Sequence, residues 1–273
     1  MQGQIFINEC DKIDCAVWMD NEIQGCSWNV SVRLSGPTDD NNFVYDFSDL
    51  KNLVKNTLKE TIDHALVIPD SFQAETPNNY YFPGGWHYQA PEGAVISIPS
   101  KHETITKNDV QKACEKIIQQ KLGEKYTLSV ELTEEANQNV FFRYTHGITG
   151  HQGACQRTFH GHRSKLIANV NGERNRSLEI KIVAELLKSS CHIISKNQIT
   201  KEDESYYHLL YEGSYGTFKA SVPKKNSLVI EQETSIEAIT LNIGKQAKRF
   251  LGIEDKLELS CFEGVDKGAT VIL

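Results

Sequence analysis

The stretch QGCSWNVSVRLSG, at residues 24–36, and the stretch HGHRSKLIANVNG, at residues 160–172, lie at corresponding places in the two halves of the chain. A shift of 136 residues places Gly36 on Gly172. In the first stretch apolar and polar residues alternate before Gly36, which is typical of a half-buried strand that ends in a turn. In the second stretch residues 165–170 predict a strand that closes at Asn171-Gly172. The pair therefore suggests that one structural unit occurs twice.

The elements around these strands repeat in the same order. Helical spacing of apolar residues predicts two helices in each half, and a strand follows the second helix of each half. The predicted helices span 48–62, 106–122, 177–189 and 234–251, and the strands span 126–132 and 256–261. Ser48 and the box Thr234-x-x-Glu237 are the expected N-caps of the first and last helix.

An aromatic, glycine-rich stretch lies between the two helices of each half, at 80–87 and at 206–216, and predicts an added β-hairpin. We therefore predict an α+β fold in which residues 1–140 and 141–273 are two copies of one unit. Each copy is expected to be an antiparallel sheet with two helices on one face. The run 140–146 would connect the copies and make their sheets continuous.

Composition narrows the class of protein. Hydrophobic residues make up 39% of the 273 residues and charged residues 24%, which is ordinary globular composition. The formal net charge of −7 gives no broad positive field, so nucleic-acid binding is not expected. No apolar run is long enough to cross a bilayer, so no membrane partner is expected. The seven cysteines lack a disulfide-like rhythm, and we expect reduced thiols in a cytoplasmic protein.

The segment from His146 to His162 is the richest in chemically active side chains. His160 and His162 alternate on one strand and can direct both imidazoles to one point. His146, at the end of the preceding strand, can supply a third nitrogen. Three nitrogen ligands with an open fourth position are typical of catalytic zinc, so we predict a Zn²⁺ site here, with Cys155 beside it as the reacting side chain.

Other readings of this segment stay open at the sequence level. A His-x-His pair alone is often a solvated strand face, and the additional histidine and cysteine favour the metal. His151 could replace His146 as the third ligand. Cys155 could be a structural thiol, a fourth zinc ligand, or a thiolate that removes a proton.

These residues resemble the 6-pyruvoyl-tetrahydropterin synthase and 6-carboxy-tetrahydropterin synthase family, which has the tunnelling fold (T-fold). The family's strand-end histidine, its cysteine and its His-Gly-His segment are similar to His146, Cys155 and residues 160–162. Its Asp-Phe-x-x-Leu-Lys helix start resembles residues 46–51, and its Asp-His pair resembles Asp63-His64. Its late-strand glutamate, which holds the guanidine-like edge of the pterin, resembles Glu263 and, in the first copy, Glu134.

Each copy departs from the family pattern in one respect. In the first copy the metal positions read Cys10, Gln24 and Cys26, so this unit looks degenerate and without zinc. In the second copy the Asp-His pair reads Cys191-His192. We therefore expect either Asp63-His64 of the first unit or His192 of the second to complete the zinc site as the acid–base partner. A helix-terminal cap is an equally good reading of Asp63-His64 from the residues alone.

The resemblance implies a zinc-dependent lyase that acts on a reduced pterin such as 7,8-dihydroneopterin triphosphate. It also implies a homo-oligomer in which an even number of T-fold units closes a barrel. Arg157 and Arg163 could contact a phosphate of the substrate or face solvent. Two other classes remain as alternatives, namely a non-catalytic pterin- or purine-binding protein and a structural T-fold scaffold for another enzyme.

Overall fold

The structure is a computed structural model that describes residues 1–72, 74–136, 138–151, 153–188 and 190–273. The helices are α1 (Phe47–Glu60), α2 (Lys107–Leu122), α3 (Arg176–Ile182) and α4 (Ile236–Leu251). The strands of the first half are β1 (Gln2–Met19), β2 (Glu22–Pro37), β3 (Leu66–Pro69), β4 (Asn79–Phe82), β5 (Trp86–Gln89), β6 (Val95–Ile98) and β7 (Thr127–Thr133). Those of the second half are β8 (Val140–His146), β9 (His160–Val170), β10 (Glu173–Arg174), β11 (Ser190–Ser195), β12 (Ile199–Glu202), β13 (Tyr206–Gly213), β14 (Gly216–Pro223), β15 (Ser227–Ile230), β16 (Leu257–Phe262) and β17 (Gly268–Ile272).

The strands form three sheets, and two of these share one strand order. The first sheet runs β6-β3-β1-β2-β7, and the second runs β15-β11-β8-β9-β16-β17 with β10 beside β9. In each sheet the central pairs are antiparallel, as predicted, whereas the outer strands β3 and β6, or β11 and β15, run parallel to their neighbours. Parallel neighbours need a crossover connection, and α1 and α3 lie in the chain segments that lead to β3 and β11.

The two predicted hairpins are present and build the third sheet together. The hairpin β4–β5 and the hairpin β13–β14 are antiparallel, and β14 pairs with β5. The third sheet therefore contains strands from both halves of the chain. Its apolar face covers a core to which Trp18, Phe159 and Phe218 contribute, so this core is also shared by the halves.

The helices follow the sequence pattern, with different caps at two of them. The Asp46 carboxylate accepts from the amides of Ser48 and Asp49, so Asp46, and not Ser48, is the N-cap of α1. Ser235, and not Thr234, caps α4. The hydroxyl of Thr234 instead donates to the Gly147 carbonyl, 2.8 Å away.

The remaining helices match the predicted spans more closely. Helix α2 begins after Thr106 with a capping box to Asp109 and ends at Gly123, as expected. Helix α3 is followed by a π-helical turn over Val183–Leu187. The predicted end of that helix, Ser189, lies outside the described residues. Within the described chain, the model contains no helix with the length and apolar character of a membrane span.

The first two sheets are separate and pack against each other, so the expectation of continuous sheets is wrong for this chain. Among the described residues, no strand pairing joins the two sheets. They meet where β1 and β2 cross β8 and β9, and a Cβ atom added at Gly161 would lie 2.4 Å from the Gly25 Cα. Glycine on both strands is therefore what permits this close approach.

Candidate metal centre

The three histidines of the second half converge in the interior. His146 lies at the end of β8 directly opposite His160 on β9, and His162 lies two residues further along β9. One ligand nitrogen from each ring lies within 4.8 Å of the others, and all three residues are at most 1% exposed. The strand register thus places three imidazoles around one point, as the alternation in the sequence predicted.

Backbone carbonyls lie next to the Nδ1 atoms of His146 and His160. The Nδ1 of His146 lies 2.8 Å from the Thr234 carbonyl, and that of His160 lies 3.2 Å from the Thr158 carbonyl. A carbonyl can only accept, so each Nδ1 carries the proton and each Nε2 carries a lone pair. The His146 Nε2 lies 3.2 Å from the Nε2 of His162. The His160 Nε2 is buried with no partner among the described residues. A buried lone pair without a donor is suited to a metal ion.

Burial keeps the imidazoles of His146 and His160 neutral, which is the form that binds metal. It is the main cause that lowers the pKa of His146 to about 3, with the nearby His162 as a second cause. Burial also lowers the pKa of His160 well below its ordinary value. Neutral imidazole is the metal ligand, so both rings are ready to bind without losing a proton. Three nitrogen donors in a closed polar cluster fit Zn²⁺.

A carboxylate of the first half completes the cluster. The Asp14 Oδ1 lies 3.2 Å from the His162 Nδ1 and accepts from the Ser27 hydroxyl. Burial favours the protonated acid, but His162, Lys267 and Ser27 outweigh it, so the pKa of Asp14 is lowered to about 2. Sequence analysis missed this residue. The sequence feature that could have indicated Asp14 is that this acidic residue interrupts the apolar run Ile13–Val17 of a strand.

The Asp63-His64 pair of the first half lies at this cluster. The His64 ring is centred 4.7 Å from the His160 ring, and its Nδ1 lies 2.8 Å from the Asp63 Oδ2. Burial opposes a charge on His64, but the side chains of Asp63 and Cys155 outweigh it and raise its pKa to about 10. The structure thus brings together Asp63, His64 and Cys155, which come from different halves of the chain.

His192 does not lie with these side chains. Its Nδ1 is 2.8 Å from the Thr145 hydroxyl, and its ring meets the edge of Trp86 at 4.7 Å between centroids. Burial lowers its pKa to about 3. Of the two alternatives expected from the sequence, the structure places Asp63-His64, and not His192, beside Cys155. His151, the lesser ligand candidate, is exposed.

Strand register also corrects the alignment of the halves. Val17 lies opposite Gln24 as His146 lies opposite His160, so the counterpart of His146 is Val17 and not Cys10. The expected alignment failed because residues 147–159 form a long loop where the first half has a tight turn between β1 and β2.

The Asp-His alignment shifts in the same way. Val67 pairs beside Val17, and Ile193 pairs beside His146. Cys191-His192 therefore corresponds to residues 65–66, two positions beyond Asp63-His64. The Cys191 thiol is buried, and burial raises its pKa to about 12. Among the described residues, the second half thus offers no equivalent of Asp63-His64 at the register position.

The two glutamates have different surroundings. Glu263 follows β16 and lies 3.4 Å from the Lys267 ammonium. Burial raises the pKa of Glu263, but His162 and Lys267 outweigh it and lower the pKa, which keeps a carboxylate beside the histidines. Glu134 contacts the guanidinium groups of Arg143 at 3.0 Å and Arg163 at 3.2 Å. The Glu134 carboxylate is thus paired with two arginines, and its role in binding substrate stays a prediction.

Arg143 contacts the first-half counterpart of one metal-ligand candidate. Its Nη1 donates to the Cys26 sulfur at 3.1 Å and to the Gly25 carbonyl at 2.8 Å. In the strand register Cys26 corresponds to His162, so an arginine lies beside this position in the first half. Burial raises the pKa of the Cys26 thiol to about 11. A protonated thiol beside a guanidinium is a poor site for a cation.

The other arginine near the site is also engaged by the protein. Arg157, expected to meet a phosphate or solvent, donates to three backbone carbonyls at the end of α1. The site of this protein is therefore a buried cluster of three histidines with a carboxylate behind it and a cysteine and an aspartate–histidine pair in front. Such a set of side chains has the donor atoms that could hold a metal ion, with groups beside them that can exchange a proton.

Comparison with known proteins finds a family match over part of the chain. Residues 19–144 match the family model described as 6-pyruvoyl tetrahydropterin synthase. Members of the family are pterin-processing lyases. The matched region contains Asp63-His64, whereas the three histidines follow it. No curated protein matches the chain.

Solved structures of the same family are similar at low identity. The 6-pyruvoyl tetrahydropterin synthase of Plasmodium vivax is 14% identical, with a TM-score of 0.24, over 100% of this chain and 98% of that chain. That of Plasmodium falciparum is 12% identical, with a TM-score of 0.23, over the same shares.

Proposed function

We propose that this protein is a zinc-dependent lyase that acts on a reduced pterin such as 7,8-dihydroneopterin triphosphate, in the manner of a 6-carboxy- or 6-pyruvoyl-tetrahydropterin synthase. The observation that carries the proposal is the convergence of three buried imidazoles, whose ligand nitrogens lie within 4.8 Å of one another, next to Cys155 and His64. The family of residues 19–144 supplies the substrate class.

In this proposal His146, His160 and His162 hold Zn²⁺ through Nε2, and Asp14 orients His162 from behind. Bound zinc supplies Lewis acidity, which polarises substrate oxygens and acidifies the adjacent C–H. The protein fixes the ring orientations before the ion arrives, because each Nδ1 already faces an acceptor. Binding then costs little reorganisation.

Cys155 acts as the residue that removes and returns a proton. His64 lies beside the thiol, and the side chains of Asp63 and Cys155 raise the pKa of its imidazole. Asp63 orients the imidazole through the 2.8 Å contact at Nδ1. The thiol, imidazole and carboxylate thus form a chain along which a proton can move between substrate and protein.

Glu263 holds the pterin ring. Its carboxylate can accept two parallel N–H bonds from the guanidine-like edge of the heterocycle. The Lys267 ammonium, 3.4 Å away, is half exposed and can move aside when the substrate binds. Glu263 and Cys155 are partly exposed, whereas the histidines are buried, so the substrate approaches the cluster from their side.

The repeated sheet order supports a tandem architecture of two T-fold units, 1–140 and 141–273. The first unit contributes Asp14 and Asp63-His64, and the second contributes the zinc ligands and Cys155. We further propose a homo-oligomer in which an even number of units closes a barrel. The seven cysteines are all free, which favours the reducing cytoplasm.

Elemental analysis combined with turnover of 7,8-dihydroneopterin triphosphate tests the proposal. We expect zinc in the wild-type protein, loss of zinc in His160→Ala, and retained zinc without turnover in Cys155→Ala. An exposed histidine outside the cluster, His102, provides the matched control His102→Ala. Wild-type protein that holds zinc and binds the pterin without forming product would support the non-catalytic binding protein instead. Full turnover by Cys155→Ala would contradict the assigned role of the thiol.

A further inference from the structure

Arg157 connects the loop of Cys155 to the other half of the chain. It follows the short 3₁₀ turn Ala154–Gln156, which carries Cys155, and its guanidinium reaches the end of α1. Its Nη1 donates to the carbonyls of Thr61 at 2.8 Å and Asp63 at 3.1 Å. Its Nη2 donates to the Glu60 carbonyl at 2.6 Å. One side chain thus binds three carbonyls across the halves.

A positively charged hydrogen-bond donor is favourable at the end of α1. The last carbonyls of a helix have no partner within the helix, and the negative end of its dipole favours a cation. Thr61, the C-cap, has φ −124° and ψ −89°, so the helix does not finish in the left-handed turn that usually binds these carbonyls. A planar guanidinium can bind several of them at once.

The segment beyond this helix end is conformationally demanding. His64 has a φ of +56°, a left-handed conformation that costs free energy for a side chain other than glycine. Its amide donates to the Asp14 carbonyl at 2.6 Å, and the Asp63 carboxylate accepts from the Asp14 amide at 3.0 Å. Residues 61–64 are therefore held on one side by β1 and on the other by Arg157.

We propose that Arg157 is a positioning residue that docks residues 61–64 against the Cys155 loop and so sets His64 beside the thiol. The expected effect of Arg157 on turnover rests on the function proposed above. The expected effect on the reactivity of the Cys155 thiol does not. Arg157 acts through His64 and touches neither the metal ligands nor the substrate. Without it, the Cys155 loop and the end of α1 lose a connection that spans the two halves.

Alkylation of Cys155 by iodoacetamide gives a test that needs no substrate. The sulfur displaces iodide and forms the S–C bond, and the thiol proton passes to solvent. The other six cysteines are buried, so Cys155 is the thiol that native protein offers to the reagent. An imidazole beside a thiol can accept the proton that the thiol loses, so a thiol held beside His64 reacts faster than one without it. The rate constant therefore reports whether His64 is in place.

We expect Arg157→Gln to slow this alkylation by roughly tenfold. His64→Ala should slow it to the same degree, and the double variant should be no slower than either single one, because both changes remove the same contact. Arg157→Lys should give an intermediate rate. The matched control is Arg176→Gln, since Arg176 is an exposed arginine that donates to the Gln138 carbonyl, away from the site.

Turnover provides the second readout. With active wild-type protein, Arg157→Gln should lower kcat as His64→Ala does, with KM and zinc content unchanged. Alkylation of Arg157→Gln at the wild-type rate or faster, in a protein with wild-type zinc content, would overturn the inference. If Arg157→Gln does not fold, the alkylation rate of Arg157→Lys is the test. A wild-type rate for Arg157→Lys would then overturn the inference. Slowed alkylation without any pterin turnover in the wild type would support the role of Arg157 while removing the proposed function.

Discussion

At the scale of single residues, the metal centre depends on groups that hold its ligands as well as on the ligands themselves. Asp14 belongs to β1 of the first half, yet it lies 3.2 Å from the Nδ1 of His162 in the second half. Carboxylates behind metal-bound histidines fix the ring and increase its basicity. Through this contact we expect the first half to contribute to metal binding, although it contributes no histidine to the cluster of three.

The first prediction concerns this carboxylate. Asp14→Asn keeps the shape but removes the charge behind His162, so we expect zinc affinity to fall by about 10–100-fold. Competition with a chromophoric chelator measures the change. Asp40→Asn, at an exposed position, is the control and should bind zinc as the wild type does. Equal affinity of Asp14→Asn and the wild type would contradict a role for Asp14 in the site.

At the scale of elements, the strands and helices could largely be predicted, because each is amphipathic with the period of its type. Leu50, Val54 and Leu58 of α1 recur at helical spacing, and all three are buried. The caps were less predictable, since Asp46 and Ser48 can both cap a helix and only the backbone conformation decides between them.

Pairing between distant strands was the part that sequence could not supply. The alignment of Cys10 with His146 ignored the long loop 147–159, and the pairing of Val17 with Gln24 became visible only in the structure. The same holds for Asp14 and Arg143, whose partners are 148 and 117 residues away. Local sequence patterns are enough to predict the helices and strands. The long-range contacts depend on how the sheets pack.

The second prediction concerns the crossing of the two sheets. Gly161→Ala would place a methyl group 2.4 Å from the Gly25 Cα, so the strands must separate, and we expect a loss of about 1–3 kcal/mol in the free energy of unfolding. Urea denaturation measures it. Gly150→Ala is the control, because the nearest atom to its added Cβ lies 3.8 Å away. Equal stability of the two variants would show that the sheets do not meet as described.

At the scale of the whole molecule, both halves contribute side chains to the candidate site. The second half holds the histidines and Cys155, and the first half supplies Asp14, Asp63 and His64. In the first half the Arg143 guanidinium contacts Cys26, the counterpart of His162. We therefore expect the chain to bind one zinc ion and not two.

The third prediction tests this asymmetry. Arg143→Ala removes charged hydrogen bonds to Glu134 and to the Gly25 carbonyl, so we expect a loss of about 1.5–3 kcal/mol in stability, with zinc still bound in the second half. Urea denaturation and elemental analysis together measure both effects. Arg33→Ala, at an exposed arginine, should change neither quantity. Loss of zinc in Arg143→Ala would show that the two pockets are not independent.

The most direct measurement is anomalous diffraction at the zinc absorption edge from crystals of the purified protein. The account predicts one strong peak per chain, at about 2.0–2.1 Å from the Nε2 atoms of His146, His160 and His162. Imidazoles that point away from one another around a site without an anomalous peak would contradict it.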